Sequence, residues 1–351
     1  MTARRRASFL VAAIAAATAL VVIAIIAPRR AAAGWLIGFI YVSAIPLGSL
    51  ALLLIHRLAG GHWGDSLRPV LVPAAACIPL LALAFVPVLI AMPTLFSWAA
   101  DASAVKPDVA HLYLNMPLFT LRTFIAFIGW TVLAMAMARP VRAGTLWAAF
   151  GLLFYSVAIS LTSIDWVVST EPTFVSTSFG AGFAVMQLLA ALSFAAMLAP
   201  PTLDLKARRD LGGLMLAVAL GLTYIDFMAL LVIWYGDLPD KIDWFVKRTL
   251  LPWRWLAIGA FVLGSAAPIL LLFLARVRAN FTALRVVAAS FLCGLALYDA
   301  YLLAPVYGAW SLLTAALAVV AMGCVLIACI DANWPATLFA RRMPRGEAAH
   351  G

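Results

Sequence analysis

Apolar runs of about 20 residues, long enough to span the hydrocarbon core of a bilayer as helices, recur along nearly the whole chain. Only helices and closed barrels satisfy their backbone polar groups in lipid. The runs are unbroken and lack the ten-residue alternation of barrel strands. The pattern predicts an all-α integral membrane protein with ten transmembrane helices, at about 8–27, 34–55, 70–92, 117–138, 143–163, 175–198, 211–235, 253–274, 282–303 and 309–330. These spans use up residues 1–335 and leave a short basic tail at 336–351. Composition agrees. The 351 residues are 66% hydrophobic and 11% charged, whereas roughly a quarter of a soluble domain is charged. The surplus apolar surface must face lipid, and no soluble domain is left over.

Charge placement sets an orientation. Arg4, Arg5, Arg6, Arg57, Arg68, Arg139, Arg142, Lys206, Arg208, Arg209, Arg276, Arg278, Arg285, Arg341, Arg342 and Arg345 fall on one side, 16 of the 24 basic residues. Every loop on that side carries Lys or Arg. The other side holds eight basic residues and the acids Asp101, Asp108, Asp165, Glu171, Asp237, Asp240 and Asp243. The positive-inside rule places the first side, with both termini, in the cytoplasm. The net charge of +10 is explained this way, without a nucleic-acid partner. Arg4–Arg6 before an apolar run resembles a signal peptide, but the run is longer than a signal core and reads as an uncleaved first helix. The longest connections on the second side are 93–116 and 236–252. Within the latter, 241–248 places Ile242, Phe245 and Val246 on one face of a short interfacial helix or lies in an ordinary polar loop.

Several chemistries find no support. Membrane haem usually takes two His ligands on facing helices, and His56, His62, His111 and His350 offer no such pair. Cys77, Cys293, Cys324 and Cys329 sit in apolar runs without CxxC spacing and read as packing residues. No phosphate-binding glycine motif occurs in context. No metal site and no cofactor of this chain's own is expected, although a diffusible quinone remains open.

Ionisable groups within spans are the candidates for function, because charge in hydrocarbon is costly. Asp226 lies near the middle of the seventh span, with Thr223 and Tyr224 close by as relay hydroxyls. It reads either as a proton-path carboxyl or as a neutral group bonded to a neighbouring helix. Asp299, between Tyr298 and Tyr301, reads as a second proton-path group or as an anchor at the interface. Arg122, just inside the fourth span, needs an acid, and Asp165 and Glu171 are nearest in topology. With His111 at the same edge, this group either holds the structure together or binds a polar headgroup such as a quinone carbonyl.

Four stretches carry a family resemblance. They are His56-Arg-Leu-Ala-Gly60-Gly61-His-Trp63-Gly with Leu67-Arg68; Leu112-Tyr-Leu-Asn-Met-Pro-Leu-Phe-Thr-Leu-Arg122; Asp165-Trp-Val-Val-Ser-Thr-Glu171-Pro with Ser176-Thr-Ser-Phe-Gly180; and Ile233-Trp-Tyr-Gly-Asp-Leu-Pro239. Together, in this order, they resemble the NrfD-like, or polysulfide-reductase membrane subunit, family over residues 35–305. More narrowly they are similar to the ActF-type subunit of alternative complex III, a quinol:electron-acceptor oxidoreductase of bacterial respiratory chains. The resemblance implies two four-helix bundles plus two extra helices in a bacterial inner membrane. It implies a non-catalytic subunit without a redox cofactor, contributing a quinol-facing surface or a proton path. It also implies a multihaem cytochrome, an iron–sulfur subunit and a sister NrfD-like subunit as partners. Met228-Ala229 departs from the family's usual Ser-Gln, and Asp226 stands where an aromatic is expected, so a proton path would be rearranged or lost. A secondary transporter or channel and a purely structural scaffold are the competing readings.

Overall fold

The structure is a computed structural model describing residues 3–138, 144–174, 176–200, 202–236 and 239–332. Among these residues, ten helices are long and apolar enough to cross a membrane. They are α1 (Arg4–Ile26), α2 (Pro28–Ala59), α3 (His62–Ile90), α4 (Met116–Ala138), α5 (Thr145–Thr170), α6 (Phe179–Leu198), α7 (Leu205–Tyr235), α8 (Trp253–Phe273), α9 (Phe281–Tyr307) and α10 (Trp310–Asp331). All ten expected spans are present. Where ends differ, as at α3, α5 and α7, the helix continues beyond the apolar stretch into more polar sequence such as His62-Trp-Gly-Asp65. The expected tail at 336–351, Arg139 and Arg142 lie outside the described residues.

The helices form two groups of four. In the first, α2 packs on α3, α4 and α5; in the second, α6 packs on α7 and α9, and α8 packs on α9. The groups join where α2 meets α6 and α9. α1 and α10 lie against each other and against α2. α2 is therefore enclosed on all sides, while most of α1 is left to face lipid. Arg6 donates to Asp331 at 2.9 Å, so α1 begins and α10 ends at the same face, here termed the near face. This is the geometry an even number of spans requires.

Aromatic rings fill the first group. Phe39, Phe85, Phe127, Trp130 and Trp166 meet at centroid distances of 4.7–6.5 Å, edge-on or tilted except for Phe127 and Trp166, which stack. The second group is built differently. α8 opens into a π-turn at Val262–Ala266, just before Pro268, whose ring nitrogen cannot continue the hydrogen-bond ladder. The Ser290 hydroxyl donates to the Leu263 carbonyl at 2.8 Å and so supplies a partner inside the bilayer. Gly294 makes the close approach possible: a Cβ there would fall 2.2 Å from the Gly264 nitrogen.

Candidate functional site

Beside that π-turn the second group encloses a cavity of about 540 Å³. That size lies within the range of small-molecule pockets. Its walls come from α6, α7, α8 and α9, with Phe179, Phe183, Phe261 and Leu302 among the apolar lining. Its polar groups are few. Asp226 on α7 accepts from the Tyr298 hydroxyl on α9 at 3.1 Å, and Thr223 donates to Ser265 in the π-turn at 3.1 Å. Thr223 and Asp226 are three residues apart on α7 and share one helical face. The cavity ends at the far face beneath the short helix Pro239–Thr249, which contributes Trp244 and Phe245 to the lining. Trp244 stacks on Phe174 with ring centroids 4.3 Å apart.

The short helix is held by a buried cation. The Arg248 guanidinium is 1% exposed and reaches the Glu171 carboxylate at 3.0 Å. It also donates to the carbonyls of Trp244, Tyr301 and Leu302 at 2.8–3.3 Å, and it covers the Trp244 ring at 3.7 Å. Burial lowers the Arg248 pKa from its ordinary value, and the Glu171 charge opposes that shift. Sequence periodicity allows either an ordinary polar loop or a short interfacial helix with Ile242, Phe245 and Val246 on one face, and the segment is the helix. Trp244 and Arg248 point inward, Phe245 lines the cavity, and Val246 is half exposed. The cation's carbonyl shell is invisible in a hydropathy pattern, so the inward turn of Arg248 was not legible in sequence.

Arg122 finds its acid as expected, but only one. It clasps Asp165 with two hydrogen bonds, at 2.7 and 2.9 Å, and donates to the Tyr113 carbonyl at 3.0 Å. Asp165 is completely buried. The Tyr113 ring lies 4.0 Å from the guanidinium carbon. Glu171 belongs instead to Arg248 and Lys247. His111 is exposed, and its backbone carbonyl accepts from Asn115. The four residues therefore do not form one site. The two ion pairs are engaged with protein partners and brace the far face.

The proton-path candidates also separate. Tyr224 is 64% exposed and does not line the cavity; Tyr298, from a different span, takes the place beside Asp226. The signal available in sequence was Tyr298 itself, adjacent to Asp299. Asp299 is not an interface anchor: it is 1% exposed, and among the described residues neither carboxyl oxygen has a hydrogen-bond partner. It faces the core between the two helix groups, within electrostatic reach of Tyr41 on α2. An orphaned buried carboxyl is unusual enough to require a reason.

The near-face motif forms a tight turn. Gly60 and Gly61 take φ of +68° and +106°, values that side chains disfavour. The turn lets the His56 ring meet the Gly61 carbonyl at 2.9 Å and pack edge-on against Trp63. Arg68 donates to the Met137 carbonyl at 2.9 Å and ties α3 to α4. Among the described residues no group of three or more His, Cys, Asp and Glu could hold a metal ion. In comparisons with known proteins, no family model and no curated protein matches the chain.

Proposed function

We propose that the protein is a membrane subunit, without a redox cofactor of its own, of a quinol-oxidising respiratory complex of the alternative complex III kind. In this reading it lies in a bacterial inner membrane with its near face in the cytoplasm. It works beside a multihaem cytochrome, an iron–sulfur subunit and a sister NrfD-like subunit. Its contribution is a quinol-facing surface, a proton path, or both.

The observation that carries the proposal is the grouping of spans: two sets of four with α1 and α10 packed on α2. That is the organisation the sequence resemblance implies. The second group adds an acid–phenol pair, Asp226 and Tyr298, at a lipid-bounded cavity, and Asp299 lies buried on the same helix as Tyr298. Buried acids in a membrane mark ion or substrate pathways by default.

The test is genetic. Membranes from cells lacking the chain are expected to lose quinol-dependent reduction of the soluble electron acceptor, and the full-length chain is expected to restore it. Unchanged quinol oxidation in those membranes excludes the proposal. One observation favours a secondary transporter as the second reading: the cavity carboxyl lies beside a helix interrupted by a π-turn, as transporter sites often do. Substrate-dependent flux by the purified chain in liposomes selects that alternative.

A further inference from the structure

The cavity has a side door. α7 packs on the π-turn and on the half of α8 beyond it, but it scarcely touches the other half, Trp253–Phe261. The two helices therefore part towards the far face. Phe227 and Leu230 on α7 and Phe261 on α8 line the cavity and are also 48–59% exposed. In a bilayer that exposure is to lipid tails. The short helix and its Arg248 clamp cover the far-face end. A ligand that enters between α7 and α8 comes from the membrane.

Ser176, Ser178 and Tyr301 also line the cavity, and two polar pairs form stations whose α7 members, Asp226 and Thr223, share one helix face. Asp226 has Tyr298 as its hydrogen-bond partner among the described residues, which leaves acceptor capacity at the carboxyl. Thr223 and Ser265 form the second station, about 4.5 Å of helix rise away. Aromatic rings surround both. Among the described residues no Lys or Arg lines the cavity, so an anionic phospholipid headgroup lacks a counter-charge from them. A Cβ built on Gly182 would lie 3.9 Å from the Asp226 carboxyl, so the absent side chain at that position leaves room over the acid.

We propose that this crevice is a bilayer-loaded site for a molecule with a hydroxylated aromatic ring and an apolar tail. One ring hydroxyl donates to Asp226, and the opposite ring oxygen meets the Thr223–Ser265 pair. The tail leaves between Phe227 and Phe261. Two stations at this spacing fit two para oxygens on a six-membered ring better than the single charge of a lipophilic cation. Naming the ligand a quinol rests on the functional reading above; the site rests on the cavity.

Binding of a decyl-substituted benzohydroquinone to the full-length chain in phosphatidylcholine nanodiscs tests this, read by quenching of tryptophan fluorescence. Decanol and tetraphenylphosphonium serve as parallel probes. Saturable hydroquinone binding is expected. Ala260→Phe, which fills the cavity, should abolish it, and Asp226→Leu should weaken it tenfold or more. Tyr224→Phe, outside the cavity, should leave it unchanged. Size-exclusion profiles verify that each variant folds, and Thr223→Val replaces any variant that does not. Hydroquinone binding unaffected by these substitutions overturns the site. So does quenching that is equal for all probes, or Asp226-dependent binding of tetraphenylphosphonium alone. If partner subunits fail to copurify while hydroquinone binding persists, complex membership falls and the site stands. Copurification without binding gives the converse.

Discussion

Arg248 and Glu171 meet at 3.0 Å across the far-face end of the second helix group, and three backbone carbonyls complete the guanidinium's shell. The pair fastens the short helix to the loop after α5 and to the end of α9. Glu171→Gln leaves Arg248 buried without its counter-charge. Removing one partner of a buried pair costs about 3–5 kcal/mol. Thermal unfolding in detergent should register a loss of that order, and protease should cut near 236–252 sooner. Wild-type stability in Glu171→Gln would mean that the carbonyls alone hold the cation.

The Arg122–Asp165 pair allows a cleaner separation of charge from packing. Asp165→Asn strands Arg122, and Arg122→Met strands a fully buried carboxylate. Each single change should destabilise by about 3–5 kcal/mol, while the double change to apolar residues of similar volume should cost less than either. Additive losses in a double-mutant cycle would show that the two residues act independently.

Asp299 presents the opposite situation, because nothing among the described residues accepts from or donates to its carboxyl. Leaving a buried polar group unpartnered costs about 1–3 kcal/mol. Asp299→Leu should therefore raise thermal stability. If Asp299 belongs to a proton path, the same variant assembles normally but loses the quinol-linked activity. A destabilised Asp299→Leu protein would point to a partner for the carboxyl.

Orientation is open to direct measurement. Ser103 lies in the long far-face connection and is exposed, whereas Ser8 follows the basic cluster at the start of α1 on the near face. In intact spheroplasts, a membrane-impermeant maleimide should label Ser103→Cys and spare Ser8→Cys, judged against the labelling of the wild-type chain. The reverse pattern would invert the orientation read from charge.

The span count was legible because lipid imposes it: backbone groups must pair within each segment, and hydropathy records that directly. The Arg122–Asp165 pair was legible for a related reason, since a cation inside a span has few places to find an acid. The cavity was not. Asp226 is visible in sequence, but its partner Tyr298 lies 72 residues away on α9, and the neighbouring Tyr224 turns outward. The π-turn leaves only a weak trace, the small residues of Gly264-Ser-Ala-Ala-Pro268. Glu171 was grouped with Arg122 by topology, yet the nearer buried cation was Arg248, in a stretch that sequence read only as an interfacial helix or a polar loop.

Affinity purification of the tagged full-length chain from native membranes in mild detergent addresses complex membership most directly. Stoichiometric recovery of a covalent-haem-bearing cytochrome and an iron–sulfur protein, with a second multi-span subunit, is the expected result. Recovery of the chain alone, or of a complex without haem and iron–sulfur centres, contradicts the proposed function.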